Sequence, residues 1–529
     1  MELRAALDDW RSLLGSAQVL DAQAAGSTYG ADTGGAVRRI AGALRIADST
    51  ALPAVMQIAL RHGVPVYPIS TGNNWGYGSA VPVKDDCTII DLSALQRILH
   101  FDAELGVVTV EPGVTQGMLA EFLDRGGHDY MVPVTGAGPT CSLVGNALER
   151  GYGITPHADH FGAVTDIEAV LADGTVYRTA LRELAGDDLA RLFKWGIGPY
   201  SAGLFAQSGF GIVTRMSIVL ARRPESVKVC LFSLRDDALL EPAVERVRQV
   251  LRTLPGIVGG INLMNRHRVL AMSAPYPSDR IGPDGLTPPE VIEAMGRQYQ
   301  ILPWTGFGTL YGTRRVVVAA QCEIREALRG VASRMVFLSP GQARALARIA
   351  GWLPGNPGRS LSRTATTLLS SFELVLGRPN ETALPLAYWR TTGPAPSGPR
   401  NPARDGCGLI WYAPLVPMRS EGVRAYVEMV KTQTRAFGME PLITLTSIGD
   451  KLFDSTVPLL FDRRDAAASR QARDCLTALV DEGRKLGCFP YRMGIDAPQA
   501  LRSTFRSSLH ARLQQTWDPQ RLLAPDRYS

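Results

Sequence analysis

Along this chain the hydrophobic positions repeat with a period that switches between two residues and about 3.6, the alternation of short strands with helices. Residues 46–63 read as a helix entered through Asp48-Ser49-Thr50, with a strand at 64–69 after it. Strands are predicted at 88–92 and 107–111. Thr115 caps a predicted helix whose apolar face carries Met118, Leu119 and Phe122 and which stops at Gly126-Gly127. Ala172-Asp173-Gly174 separates strands at 167–171 and 176–178, a hairpin pattern. A β-branched run covers 211–220. This half is α+β with mixed sheets rather than a regular βαβ series.

Beyond Arg223 the pattern changes. A strand at 227–232 leads to an amphipathic helix at 239–254, and a loop rich in Pro and Gly covers 274–289. Helices are predicted at 324–333 and 340–350, irregular loop at 391–408, and a strand at 410–415. A helix at 421–437, capped by Ser420 and closed by Gly438, precedes a strand at 442–447 and a helix at 466–486. Strand–helix–strand with long helices predicts a second domain that caps the first.

Composition narrows the class. A chain of 529 residues exceeds one ordinary core, and 45% hydrophobic with 20% charged residues is the balance of a soluble globular protein. The net charge of +6 comes from scattered Arg, with no basic cluster interleaved with aromatics, which argues against nucleic acid. The acidic start at Glu2, Asp8 and Asp9 is unlike a secretory signal, and no run approaches the roughly 18 apolar residues of a membrane span. Seven widely spaced cysteines without a Cys-x-x-Cys pair point to reduced thiols in the cytoplasm.

The densest chemical signal is Pro68-Ile69-Ser70-Thr71-Gly72-Asn73-Asn74-Trp75-Gly76-Tyr77-Gly78. Gly and Asn reach positive φ at low cost, so successive N–H groups can turn inward and bind a phosphate or pyrophosphate. The spacing is neither that of a P-loop nor Gly-x-Gly-x-x-Gly, which implies a nucleotide cofactor in another fold. A second cluster, Val134-Thr135-Gly136-Ala137-Gly138 leading to Gly145-Asn146 and Gly151-Tyr152-Gly153, is either a platform for a flat ring or a long surface turn. His157 and His160 form one His-x-x-His pair without further ligands, so no metal is assigned.

These glycine turns, together with Gly145-Asn146-Ala147-Leu148-Glu149-Arg150-Gly151, Thr155-Pro156-His157-Ala158-Asp159-His160, Gly211-Ile212-Val213-Thr214, Trp411-Tyr412-Ala413-Pro414, Tyr491-Arg492 and Leu523-Ala524-Pro525, resemble the vanillyl-alcohol oxidase and p-cresol methylhydroxylase family in that order. The resemblance implies a two-domain FAD-binding fold, with an FAD domain at 1–222 joined by a tail at 489–529 and an α/β cap at 223–488. Ser70, Thr71, Gly72, Asn73, Asn74, Trp75, Gly76 and Gly78 would cradle the FAD pyrophosphate. Gly136, Ser142, Gly145, Asn146, Gly153, the backbone of Ile212 and Val213, and Arg527 would line the rest of the cofactor.

Tyr77, Tyr491 and Arg492 match the positions that grip a phenolic oxygen; two hydroxyls and a guanidinium stabilise a phenolate. The implied reaction is hydride transfer from the para benzylic carbon of a phenol to flavin N5, leaving a quinone methide. Alternatives are FAD-dependent oxidation of a carboxylate-bearing or natural-product alcohol, with Arg492 holding the carboxylate, or a non-catalytic flavin protein serving electron transfer. The implied acceptor is O₂ or an electron-transfer protein, and family members commonly dimerise.

Departures from the family matter as well. Leu409 occupies the position of a covalent FAD ligand, so FAD is expected to be non-covalent, with Tyr412 as the fallback attachment point. Cys141 and Cys407 are read as buried thiols. Ser397 stands near where a pocket carboxylate would be. The second glycine loop has no carboxylate until Glu149, and the family's paired histidines fall near Asp454 and Ser455, leaving no general base assigned.

Overall fold

The computed structural model describes residues 2–352, 369–393, 396, 398–498, 501 and 509–528, so Ser397 lies outside the described residues. Contacts gather the chain into two units. One comprises Met1–Gly153, His157–Arg222 and Met493–Ser529, the other Ile154–Pro156 and Arg223–Arg492. The chain returns to the first unit at Met493, which puts Tyr491 and Arg492 in the second.

Among the described residues the first unit is built on two larger sheets, with a two-stranded ribbon of Tyr130–Met131 and Ala221–Arg222 in addition. Strand Ile40–Arg45 runs parallel to Cys87–Asp91, which runs parallel to Val66–Ile69, while Val19–Leu20 adds an antiparallel edge. Between Ile40–Arg45 and Val66–Ile69 lies helix Leu52–His62. Asp48 caps the 3₁₀ turn before it, and Gly63, at φ 60°, ends it. The regular helix thus starts six residues later than the sequence suggests, because the Asp48 cap serves a 3₁₀ turn, Ser49–Ala51. Val55, Met56 and Ala59 pack with Trp10, Leu44 and Ile90, and the Trp10 indole donates to Val55 O at 3.1 Å.

The other sheet is antiparallel, in the order Ile98–Asp102, Val107–Val110, Ile212–Val219, Val164–Val170, Val176–Arg178. Its last two strands form the expected hairpin, with Gly174 at φ 86° in the turn. The tail closes the unit. Val66 N donates to Leu522 O and Ala524 N to Val66 O, both at 2.8 Å, so the tail runs beside the strand that feeds the first glycine turn.

The second unit holds a nine-stranded sheet whose recorded pairings are all antiparallel. Helix Leu240–Thr253 crosses over between strands Ser226–Leu234 and Val258–Asn265, and helix Arg314–Ala327 between Trp304–Gly312 and Arg334–Leu338, the strand–helix–strand order expected of the cap. Strand Trp304–Gly312 lies inside the sheet but was not expected, because Gly306, Gly308 and Gly312 give it the composition of a loop. The structure explains Gly306. It opposes Phe232, whose ring fills the space a Cβ would occupy. The helix expected at 324–333 is Arg314–Ala327, started by Thr313, whose side chain accepts from Val316 N. Ser420 is the first residue of helix Ser420–Ala436 rather than its cap; Arg419 stands in the cap position without a side-chain bond. Strand Cys407–Tyr412 begins inside the expected loop.

Strand Leu452–Asp462 shows the two faces of this sheet. Ser455 bonds Tyr426 of helix Ser420–Ala436 at 2.8 Å, so Phe453, Ser455 and Val457 face that helix layer. Asp454, Thr456 and Pro458 point to the opposite face.

Candidate active site

In the first unit, the turn after Val66–Ile69 has Gly72, Gly76 and Gly78 at φ 68°, 77° and 118°, followed by Ser79 at 53°. Four left-handed residues in eight curl the backbone as a phosphate-binding nest requires. The turn is fixed from several sides. Thr33 Oγ1 accepts from Gly76 N at 2.8 Å, Asn73 Nδ2 donates to Thr140 O at 3.1 Å and to its hydroxyl at 2.9 Å, and Ile495 N donates to Tyr77 O at 3.1 Å. Gly78 is required for space as well as for φ, since a Cβ there would lie 2.6 Å from Ile495 Cγ2. Tyr77 itself is buried.

The second glycine loop lies against the first. Thr71 Oγ1 accepts from Ser142 N at 3.3 Å, and a Cβ on Gly145 would run into Ser70 Oγ. Ser142 caps helix Leu143–Leu148 by accepting from Gly145 N at 3.0 Å, and its hydroxyl donates to Pro112 O at 2.6 Å. Gln116 holds Thr135 by two bonds, of 2.9 and 3.0 Å, which positions Gly136. This segment is therefore a braced platform beside the nest rather than a free surface turn.

Asn146 bonds His160 Nδ1 through its Nδ2, which places the imidazole proton on Nε2. Burial, with His157 adding to it, pulls the His160 pKa down to about 3, so the ring is neutral. Gly153 packs against His160 Nε2 and Val134 O, so closely that a Cβ has no room. Ile212 is buried in the core, at the start of strand Ile212–Val219.

Three polar atoms in these loops, Trp75 Nε1, Ser79 Oγ and His160 Nε2, are buried without a hydrogen-bond partner. Buried donors of this kind are rare in a finished interior. They, the nest and the Cβ-free glycines fit FAD, whose pyrophosphate and ring edges offer many acceptors. Arg527 has a different setting. It donates to Met493 O and to both oxygens of Glu149, the latter at 3.2 and 3.3 Å, and Tyr528 also donates to Glu149 at 2.6 Å. Burial works against its charge, but Glu149 beside it raises the guanidinium above its ordinary value.

In the second unit, strand Phe489–Pro490 pairs with Pro414–Pro417 and delivers Tyr491 and Arg492 beside Asp454. Tyr491 Oη donates to Asp454 Oδ2 at 3.2 Å, and Asp454 Oδ1 is buried without a hydrogen bond. Burial pushes the Asp454 carboxyl up to about 6, against the Tyr491 bond and the Arg492 charge. Asp454 was not assigned a role from sequence. Its signal was a carboxylate inside the strand Leu452–Asp462, whose other acidic residue, Asp462, stands at the strand's end. Leu409 is buried in an apolar cluster with Leu386, Trp389 and Leu460. Tyr412 instead points to the helix-covered side, its hydroxyl in the space beside Gly483, so the fallback attachment point is packed away from the face that carries Leu409.

All seven cysteines are free, and Cys141 and Cys407 are buried. Among the described residues no group of three or more His, Cys, Asp or Glu is arranged to hold a metal, and no helix is long and apolar enough to cross a membrane.

A family model described as an FAD binding domain matches residues 40–180. A 1'-carboxy-chondrochloren decarboxylase from Chondromyces crocatus is 33% identical over 531 aligned residues, covering 99% of this chain and 97% of that protein. The flavoprotein subunit of 4-cresol dehydrogenase (hydroxylating) from Pseudomonas putida is 26% identical, covering 89% of this chain and 84% of its own. A crystal structure of p-cresol methylhydroxylase with substrate bound superposes with a TM-score of 0.86 at 25% identity, covering 100% of this chain and 96% of that one. The chain belongs to the vanillyl-alcohol oxidase/p-cresol methylhydroxylase family of flavoproteins. The fold is shared with another structure, 4-ethylphenol oxidase from Gulosibacter chungangensis in its isoeugenol complex, at a TM-score of 0.86 and 24% identity, covering 100% of this chain and 97% of that one. As a member of this family the protein is an FAD-dependent oxidoreductase, which removes the non-catalytic alternative.

Proposed function

We propose that this flavoprotein oxidises a para-substituted phenol, binding the substrate oxygen through Tyr491, Arg492 and, by the family resemblance, Tyr77. The observation that carries the proposal is the Tyr491–Asp454 pair beside Arg492, with one carboxylate oxygen buried and unbonded. FAD supplies the two-electron acceptor for a hydride. Asp454 Oδ1 accepts the phenolic proton, and Tyr491 and the Arg492 guanidinium hold the phenolate that results. Negative charge on that oxygen favours hydride departure from the para benzylic carbon, and the substrate becomes a neutral quinone methide. Water adding to it gives an alcohol.

The substrate is thus a small phenolic molecule, and O₂ or an electron-transfer protein is the terminal acceptor; we place the enzyme in the cytoplasm as a homodimer. FAD is held without a covalent bond, since Leu409 offers no nucleophile. Turnover of a 4-alkylphenol against its O-methyl ether tests the mechanism. The ether should be inert, and equal turnover of the two would overturn it.

A second reading keeps the same redox chemistry but takes a carboxylate-bearing substrate. It is favoured by the activity of the 33% identical relative, a decarboxylase acting on a carboxylated compound.

A further inference from the structure

Among its described residues the second unit contains a cation without a counter-ion. Helix Arg266–Ser273 opens with Arg266, His267 and Arg268, although a helix N-terminus carries partial positive charge and favours acidic residues. Arg266 donates to Ile301 O, and His267 lies 4.0 Å from Glu440, so both have protein partners. Arg268 differs. Its backbone N–H caps onto Asn265 Oδ1 at 3.0 Å, but Nε and Nη1 of its guanidinium are buried without any hydrogen-bond acceptor. Burial alone, with no carboxylate alongside, pulls its pKa down to about 10, so it remains charged at neutral pH. The residue as a whole is part-buried, and a charge whose Nε and Nη1 are enclosed in this way without a partner is destabilising.

The location of this charge suggests its ligand. The Arg268 guanidinium carbon lies 5.8 Å from the centre of the Trp411 ring. Trp411 pairs with Pro458, and Asp454 lies on the same strand and the same face, a span on the order of 13 Å along the chain. One face of the sheet therefore carries a phenol-binding pair at one point and an unneutralised guanidinium over an aromatic ring at another. Nε or Nη1, each together with Nη2, presents an edge of the guanidinium that can take a carboxylate in the bidentate manner suited to this side chain.

We propose that Arg268, backed by Trp411, is the anchor for a carboxylate on the substrate, and that the substrate is an elongated aryl carboxylate whose phenolic end reaches Asp454. The proposal rests on the carboxylate-bearing reading given above. It moves that role from Arg492, which stays with the phenolic oxygen, to a residue the sequence had not singled out.

A matched pair of ligands without benzylic hydrogens tests it: 4'-hydroxybiphenyl-4-carboxylate and 4-phenylphenol, titrated calorimetrically into holoenzyme of the wild type, Arg268→Met and Arg268→Lys. The wild type should bind the carboxylate at least 10-fold more tightly than 4-phenylphenol. Arg268→Met should abolish that preference while binding 4-phenylphenol within about twofold of wild type, and Arg268→Lys should keep part of it. FAD content should be unchanged and the melting temperature no lower, since the substitution removes an unpaired charge. An equal preference in wild type and Arg268→Met, no binding of either compound, or loss of FAD from Arg268→Met (which would assign the guanidinium to the cofactor) would overturn the proposal. If the carboxylate binds through Arg268 while 4-phenylphenol does not bind at all, the anchor stands and the phenol reading falls.

Discussion

Tyr491 donates its phenolic hydrogen to Oδ2 of Asp454 at 3.2 Å, and Oδ1 of the same buried carboxylate has no hydrogen-bond partner among the described residues. One residue further along the strand, Ser455 faces the other way and is occupied by Tyr426. The pair therefore lies on the face of the sheet opposite helix Ser420–Ala436, which packs on the strand's other side.

Asp454→Asn should lower kcat/KM for a phenol by roughly 100-fold, the usual scale for losing a positioned base. The base works ionised, so wild-type kcat/KM should rise with pH through about 6 and then level, and the variant should lack that limb. Stability has the opposite sign. A carboxyl whose folded pKa is raised stabilises below its ordinary value of 3.8, and that contribution is lost as pH rises through about 6. Asp454→Asn should therefore gain in melting temperature over wild type at pH 8 relative to pH 4. Scanning calorimetry at both pH values checks this, and a pH-independent difference would count against a buried ionised Asp454.

Much of the first unit was legible because its signals are local. The Thr115 cap, the Asp173-Gly174 hairpin and the glycine nest each depend on a few consecutive residues, and each is present. The second unit was read less well because its decisive features depend on partners far away in sequence. Trp304–Gly312 is a strand only because Ser226–Leu234 and Val258–Asn265 flank it, and Phe232 fills the space left by Gly306. Asp454 became a candidate base only once sheet register brought Tyr491 to it. Arg268 looked like one more scattered Arg until the lack of any acceptor around it was visible.

Gly78→Ala should damage cofactor binding and the docking of the tail together. At φ 118° any L side chain is strained, by about 1–3 kcal/mol, and here the new methyl also meets Ile495. Because Ile495 N bonds Tyr77 O, relief of the clash must move the residue next to the glycine. Purified variant should carry less FAD per chain and unfold at lower denaturant concentration, with excess FAD restoring only part of the difference. Full occupancy and unchanged stability would show that the turn is more compliant than its geometry implies.

Arg527 should prove structural even though its position suggested a cofactor contact. It is 4% exposed and joined to Glu149, to Met493 O and to the ring of Tyr528. Arg527→Met removes the cation that the Glu149 carboxylate faces, and breaking a buried pair in this way costs about 3–5 kcal/mol. Glu149→Gln combined with Arg527→Met should recover part of that loss, because no charge is then left unpaired. Urea unfolding of the two single variants and the double variant measures the coupling; strict additivity would mean the pair does not act as a unit.

Acid precipitation of the holoenzyme should release its flavin into the supernatant. A covalent link needs a nucleophile on the face of strand Cys407–Tyr412 that carries Leu409, and that position is aliphatic and enclosed by Leu386, Trp389 and Leu460. Tyr412 is turned toward Gly483, and burial pushes the Cys407 thiol up to about 11, where it holds almost no thiolate at neutral pH. Absorbance near 450 nm, a general property of oxidised flavin, should therefore remain in solution after trichloroacetic acid. Colour retained in the pellet, followed to a flavin-bearing peptide by mass spectrometry, would show that another side chain forms the bond and that the apolar surroundings of Leu409 do not decide how the cofactor is held.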